Sequence, residues 1–329
     1  MVFVGKAEAM RSPRALLSGL GVVVLWASAF PAIRVAAPEL GVAGLSLARL
    51  VIAALLLLVL APILKVRIPA RRDLPLILAC AFFGMAAYQV LLNWGELDVP
   101  AGTASIIVAA APLVSVAIAA GLLGERLTGL KIIGSAVALA GVALVSLTRS
   151  GFTASSALWI VIAAMVVQGI YHPLTKPLLK KYSGLEVATY CMVGGAVMLL
   201  PTVPFAWADL GQASPAAWWA AGYLAALPSA LGFVLWGYAV ARMSMATSTS
   251  LLYLVPPVAV LISFLWLGEV PYPGELVGGA VVIVGVVTVV LGDRLRARWS
   301  GHPLAEPPPV VERVETRSRD LDTLDQRSS

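Results

Sequence analysis

Long apolar runs recur along this chain between charged or Pro/Gly punctuation, and that recurrence restricts the fold more than any other feature. Ten runs can be marked, at about 15 to 37, 42 to 64, 74 to 94, 99 to 122, 131 to 147, 156 to 175, 186 to 206, 216 to 240, 245 to 267 and 275 to 292. A helix needs about 20 apolar residues to cross a bilayer, and in hydrocarbon every backbone polar group must be paired within the segment. The ten-residue alternation of an outer-membrane barrel is missing, so the runs read as helices. Composition agrees: 60% of the 329 residues are hydrophobic and 12% charged, against roughly 25% charged in soluble domains. The expected fold class is an all-α polytopic membrane protein. The first run is too long, and is followed by too many others, to read as a cleaved signal peptide.

The net charge of +6 reports topology. Sixteen Lys and Arg residues fall on alternate connections: Lys6, Arg11 and Arg14; Lys65, Arg67, Arg71 and Arg72; Arg126 and Lys131; Lys176, Lys180 and Lys181; Arg242; Arg294, Arg296 and Arg298. Arg149 stands alone on the others. Basic loops stay in the cytoplasm, so the expectation is a multi-pass protein of the inner (cytoplasmic) membrane with both termini cytoplasmic. No nucleic-acid partner is implied. The connections leave no room for a soluble domain, and the Pro-rich, charged tail is too polar to pack a core.

The halves of the chain resemble each other. PLVSVAIAAGLLGE, from Pro112 to Glu125, matches PPVAVLISFLWLGE, from Pro256 to Glu269, at an offset of 144 that also aligns Thr103 with Thr247, Gly134 with Gly278 and Gly141 with Gly285. An offset of 142 aligns Pro31 with Pro173 and Arg34 with Lys176. Five helices per repeat is an odd number, so the second copy enters the membrane from the opposite side. The expected organisation is an N-terminal segment 1–14, a first repeat 15–149, a second, inverted repeat 150–293 and a disordered cytoplasmic tail 294–329. Inverted repeats are an architecture of alternating-access carriers, with substrate held near the midplane.

On these paired Pro…Gly-Glu segments, each followed by a Gly-rich helix, the chain resembles the EamA-type permeases of the drug/metabolite transporter superfamily, over about residues 15 to 292. The resemblance implies a ten-helix inner-membrane exporter of small metabolites, with a cavity lined by helices 1, 3, 4, 6, 8 and 9. Overall likeness points to the YddG-type amino-acid exporters, although no quotable motif carries that branch.

Residues are read on both a structural and a functional side. Gly134, Gly141, Gly278 and Gly285, seven apart in each pair, suit close helix packing. Pro31, Pro112, Pro173, Pro256 and Pro257 are candidate hinges, with Pro112, Pro256 and Pro257 expected near mid-helix, where proline frees carbonyls. Trp26, Tyr88, Gln89, Asn93, Gln168, Tyr171, His172, Ser229, Trp236 and Tyr253 form polar and aromatic stripes that either line a substrate cavity or bridge helices. Arg49 is the ionisable group at depth, a candidate for a substrate carboxylate, for a gate or for structural pairing with Glu39. Arg34 is expected to snorkel, and Glu125 and Glu269 to cap helix ends or pair with Arg126 or Lys131. Trp94, Trp218, Trp219, Trp266 and Trp299 read as interface anchors, and Cys80 and Cys191 as inert core thiols.

No Walker A or metal-ligand spacing occurs, so neither metal nor cofactor is expected and the chain does not read as an enzyme. Few deep carboxylates are visible, leaving facilitated diffusion and proton antiport both open. Sparse charge at depth disfavours sugar phosphates and suits zwitterionic or neutral cargo, hydrophobic and aromatic amino acids first and drug-like amphiphiles second. The small molecule and the lipid bilayer are the expected partners, and the chain is expected to act as a monomer.

Overall fold

The computed structural model describes residues 13–123, 129–150, 156–242 and 251–299. Among them every regular element is helical: α1 Pro13–Leu60, α2 Leu74–Cys80, α3 Tyr88–Gly95, α4 Ala101–Val108, α5 Ala111–Leu123, α6 Gly129–Ser150 and α7 Ser156–Leu179. Then come α8 Gly184–Leu199, α9 Val203–Gln212, α10 Pro215–Leu224, α11 Gly232–Arg242, α12 Val255–Leu267 and α13 Pro273–Trp299. A compact unit extends to Val290; of a second unit, Leu291–Ser329, residues 300–329 lie outside the described residues. The proposed Gly124-Glu125 motif end, Thr247 and the 300–329 tail also lie outside them.

Five helical stretches are long and apolar enough to cross a membrane: 14–60, 71–95, 156–179, 184–212 and 215–239. Four shorter apolar helices cover 101–115, 132–145, 252–267 and 273–285. This is the architecture of a multi-pass membrane protein. Large apolar side chains such as Leu17, Val59, Phe205, Trp219 and Leu265 face outward, where lipid rather than water is the favourable neighbour. Trp94, Trp218, Trp219 and Trp266 are among these exposed side chains.

α1 contains a break. Its 48 residues would span about 70 Å as one rod, more than twice the ~30 Å hydrocarbon core. At Gly41 the backbone leaves helical geometry with φ 65° and ψ 169°, a region open to glycine, and a Cβ there would lie 2.5 Å from Oδ2 of Asp209. Glu39, just ahead of this break, accepts hydrogen bonds from the backbone N–H (2.7 Å) and hydroxyl (2.9 Å) of Ser214, the N-cap of α10. It therefore serves a helix N-terminus, and the expected pairing of Glu39 with Arg49 is not formed.

Element bounds recur at the 144-residue spacing. π-helical turns occupy Ala81–Ala87 and Ala225–Leu231, joining α2 to α3 and α10 to α11. α5 and α12 are the same length and equally displaced, and so are the first residues of α6 and α13, Gly129 and Pro273. In each half the apolar run ahead of α5 or α12 is interrupted. α4 stops at Val108 and α5 begins at Ala111, with tight bonds from the N–H of Ala110 to the carbonyl of Ile107 and from that of Leu113 to Ala110; a 3-10 turn, Leu252–Leu254, leads into α12.

Pro112, Pro256 and Pro257 consequently lie in the first turn of a short helix, not at the middle of a long one as expected. There the missing N–H leaves no intrahelical bond unmade. Pro31 and Pro173 lie inside α1 and α7.

The four glycines of the sequence repeat meet in one contact. A Cβ on Gly141 would lie 2.8 Å from the Gly278 carbonyl, and one on Gly285 would lie 2.6 Å from that of Gly134. Numbering rises along α6 as it falls along α13, so the two helices run antiparallel, and each glycine faces the repeat counterpart of its partner's neighbour. Reciprocal pairing of this kind is the contact pattern of a two-fold axis.

The connection between α1 and α2 is tied down by ion pairs. Arg67 meets Glu186 at 2.6 Å and Lys181 meets Asp73 at 2.6 Å, while Tyr182 donates to Asp73 at 2.8 Å. Ser183 and Glu186 close a capping box on α8. Cys80 and Cys191 are buried free thiols.

Gly285→Ala is expected to lower the thermal midpoint of the detergent-solubilised protein, with a cost of about 1–3 kcal/mol, because the new methyl meets the backbone nitrogen of Ala138 at 2.4 Å. Gly222→Ala, which has nothing within 4 Å, should leave the midpoint within the range of about 0.5 kcal/mol typical of surface changes.

Candidate functional site

A cavity lies where the interrupted helices meet. It encloses about 760 Å³, counted out to open solvent. Trp26 and Phe30 from α1, Arg49 further along α1, Tyr88, Gln89 and Leu92 from α3, and Gln168 and His172 from α7 line it. The two helix interruptions supply Val108, Ala109, Ala111 and Pro112 on one side and Leu252, Tyr253 and Val255 on the other, with Phe233 from α11.

Much of this lining is repeat-related. The two interruptions differ by 144, as do Gln89 and Phe233; Trp26 and Phe30 differ by 142 from Gln168 and His172. Interrupted helices expose backbone and allow irregular geometry, which membrane proteins tolerate only where it is buried in protein or lines a cavity.

Aromatic rings form one wall. Trp26 sits 5.2 Å from Phe233 and 5.5 Å from Trp236, centroid to centroid, and its indole N–H donates to the Pro228 carbonyl at 3.1 Å. Pro228 lies inside the second π turn. Gly232 makes room for the indole, since a Cβ there would lie 2.8 Å from Nε1.

The polar groups of the cavity are incompletely paired. Nine buried side-chain nitrogen or oxygen atoms among the described residues have no hydrogen-bond partner within the protein. Five belong to lining residues: Nη1 of Arg49, both amide atoms of Gln89, Oε1 of Gln168 and the hydroxyl of Tyr253. Each unpaired buried group costs about 1–3 kcal/mol, so their concentration at one cavity marks where a polar ligand gains most. Arg49 is 4% exposed, and its Nε donates to Ser229 at 2.8 Å. Ser229 thus orients the guanidinium and leaves one face of it unclaimed.

The sequence-derived candidates separate into groups. Trp26, Arg49, Tyr88, Gln89, Pro112, Gln168, His172 and Tyr253 line this cavity. Asn93 does not; its Nδ2 donates to Ser46 at 2.8 Å, so it bridges α3 and α1. Ser229 stands behind Arg49 instead of facing the cavity. Tyr171 and Trp236 line a smaller pocket with Phe233, Thr175 and Gly184. Pro31, Pro173, Pro256 and Pro257 lie outside the cavity lining.

Three charged residues differ from expectation. Arg34 does not snorkel: its Nη1 donates to the carbonyls of Glu96 and Leu97, each at 2.6 Å, and its Nε meets Glu269 at 3.4 Å. Glu269 pairs with Arg34 and accepts from the N–H of Ala101 at 3.1 Å, whereas Arg126 and the Lys131 side chain lie outside what the structure describes. Gly268, at φ 69°, ends α12 in the left-handed conformation and turns the chain to present Glu269, which explains the Gly-Glu motif. Glu96 was overlooked, yet it is fully buried and both carboxylate oxygens lack a partner. Its spacing of seven from Gln89 was the available signal, hidden because WGELD reads as a loop.

Comparison with known proteins places relatives along most of the chain. A protein of Streptantibioticus cattleyicolor named "probable terminal-alkyne amino-acid exporter" is 53% identical over 296 residues, covering 89% of this chain and 100% of its own. The "uncharacterized transporter YdfC" of Bacillus subtilis is 34% identical over 80% of this chain and 87% of its own. The "uncharacterized inner membrane transporter YedA" of Escherichia coli is 27% identical over 86% and 92%. A crystal structure 19% identical in sequence superposes with a TM-score of 0.62, covering 85% of this chain and 97% of that one, and shows the shared fold. The EamA-like transporter family matches residues 13–147 and again 155–291, and the chain belongs to that family.

Proposed function

We propose that the protein exports small amino acids with apolar side chains, aromatic ones among them, across the cytoplasmic membrane by alternating access. The observation that carries this reading is Arg49: a buried guanidinium held at Nε by Ser229, with Nη1 unpaired, in the wall of a cavity otherwise built of aromatic, aliphatic and neutral amide groups. One cation matches one carboxylate, the amides and the Tyr253 hydroxyl suit the remaining polar atoms, and Trp26, Phe30 and Phe233 suit an apolar or π-rich side chain. The printed name of the Streptantibioticus cattleyicolor relative, a terminal-alkyne amino-acid exporter, describes cargo of this chemistry. A single arginine is too little for multiply charged phosphates.

The transport cycle follows from two inverted five-helix halves. Splitting α1 at Gly41 and adding the shorter apolar helices gives ten crossings, and the antiparallel glycine contact of α6 with α13 supports inversion. Two near-equivalent halves supply two near-equivalent conformations, facing opposite sides. The charge pattern puts both termini in the cytoplasm.

Proteoliposomes containing the full chain should take up labelled hydrophobic amino acids. No flux from a broad amino-acid panel with the protein folded would overturn the reading, and uptake of a cationic dye alone would favour drug-like cargo instead. Arg49→Gln should weaken apparent affinity for amino acids about 10- to 100-fold, the worth of a charged hydrogen bond of about 1.5–3 kcal/mol, with little effect on a decarboxylated amine. Tyr88→Ala and Gln168→Ala should each slow flux while the protein remains folded; unchanged flux in both would remove α3 and α7 from the site.

A further inference from the structure

The cavity wall on α3 continues one turn beyond the cavity. Gln89 and Leu92 line the cavity, and Glu96, at three-, four- and seven-residue helical spacing from the same face, follows them. Glu96 is 0% exposed, and neither carboxylate oxygen has a hydrogen-bond partner within the protein. Its hydrogen bonds are made by the backbone: the carbonyl accepts from Arg34 and the N–H donates to Leu92 at 3.0 Å. A carboxylate sealed in this way is costly as an anion, and either a proton or a cation brought to it would relieve that cost.

Among the described residues, four charged or titratable groups act on Glu96. Arg49 and Tyr88 lie on the cavity side, and Arg34 and Glu269 on the other. The Arg34 links to the carbonyls of Glu96 and Leu97 and to Glu269, together with the Glu269 bond to Ala101, tie α1, α3, α4 and the α12–α13 connection into one cluster. By the charge pattern this cluster is on the outer side of the membrane. Glu96 thus sits between the cavity and the outer seal, within electrostatic reach of the arginine proposed to take the substrate carboxylate.

We infer that Glu96 is the coupling carboxyl of the transporter, holding either one proton or the ammonium group of the amino acid, and never both. This rests on the amino-acid export reading above. In an α-amino acid the ammonium and carboxylate are attached to one carbon, so cargo whose carboxylate meets Arg49 presents its ammonium to the Glu96 side. From the cytoplasm, the zwitterion enters, the ammonium pairs with the Glu96 carboxylate and the carboxyl proton is released inward. When the outer cluster opens, a proton from outside converts the carboxylate to the neutral acid and the zwitterion leaves. One zwitterion moves out and one proton moves in, with net transfer of one positive charge.

The test uses proteoliposomes of the full chain with the membrane potential clamped at zero. With the lumen one pH unit more acid than the bath, wild type should accumulate a hydrophobic amino acid up to about tenfold, the equivalent of one proton per pH unit, and a dye trapped in the lumen should report protons leaving. Glu96→Gln should lose the accumulation, the concentrations merely equalising, while exchange of labelled for unlabelled amino acid continues at a reduced rate. Glu96→Asp should keep the accumulation with a displaced pH profile, which a purely structural role would not produce. Wild type that equilibrates without accumulation, moves no protons during uptake, or is matched in accumulation by Glu96→Gln overturns the inference while leaving export intact. If Glu96→Gln does not fold, the wild-type dye measurement and Glu96→Asp decide it. Absence of any amino-acid flux in wild type instead removes the export reading itself.

Discussion

Backbone hydrogen bonding without water is the constraint on which the rest of this structure depends. An N–H or C=O turned toward lipid has no partner, so the chain is helical wherever it faces lipid, and irregular backbone survives only where protein surrounds it. The break at Ala109–Ala110 and Tyr253 of the turn ahead of Val255 lie against the cavity, and the two π turns keep their backbone bonds within the helix while carrying both buried and exposed side chains. Three of these four irregular elements adjoin or supply the cavity lining through Val108 to Pro112, Leu252 to Val255, and Tyr88 with Gln89. The requirement to pair the backbone and the position of the site are therefore the same fact seen from two directions.

Close packing follows from small residues, because lipid supplies no hydrophobic drive between helices. Gly141 and Gly278 bring α6 and α13 into backbone contact, as Gly184 and Gly237 do for α8 and α11, where a Cβ on either would lie 2.3 Å from the other's Cα. Large side chains such as Ile33, Leu50, Met85 and Met192 fill the core between helices, others face lipid, and Trp26, Phe30 and Phe233 gather at the cavity. Polar side chains are held mostly to bridging roles, such as Asn93 to Ser46 and Ser28 to Tyr223 at 2.6 Å. The exceptions, with polar atoms left unpaired, concentrate around Arg49, Gln89, Gln168 and Tyr253.

What could be read from the residues alone followed from periodicity and repetition. The Gln168 and His172 stripe is visible because four-residue helical spacing puts both on one face. The 144-residue offset was visible because Pro, Gly-Glu and the spaced glycines recur in register. Asn93, Ser229, Tyr171 and Trp236 looked equally suitable, because spacing says which residues share a face and not what that face meets. Pro112 and Pro256 were misplaced for a related reason: an uninterrupted apolar run does not disclose a break that α-helical hydrophobicity spans without change. Glu96 was hidden in a segment whose composition is that of a loop, although neighbouring helices bury it completely.

The sequence by itself determined the solvent, the helical class and the presence of two related halves, because these depend on composition, run length and register, all local or additive along the chain. The tertiary structure alone decided which polar groups remain unpaired: Arg49 held by Ser229 with Nη1 left over, Arg34 bound to carbonyls and Glu269, and Glu96 with no donor at all. Whether a buried polar atom is satisfied depends on groups far apart in the chain, 180 residues for Arg49 with Ser229 and 235 for Arg34 with Glu269, and no local pattern carries that distance.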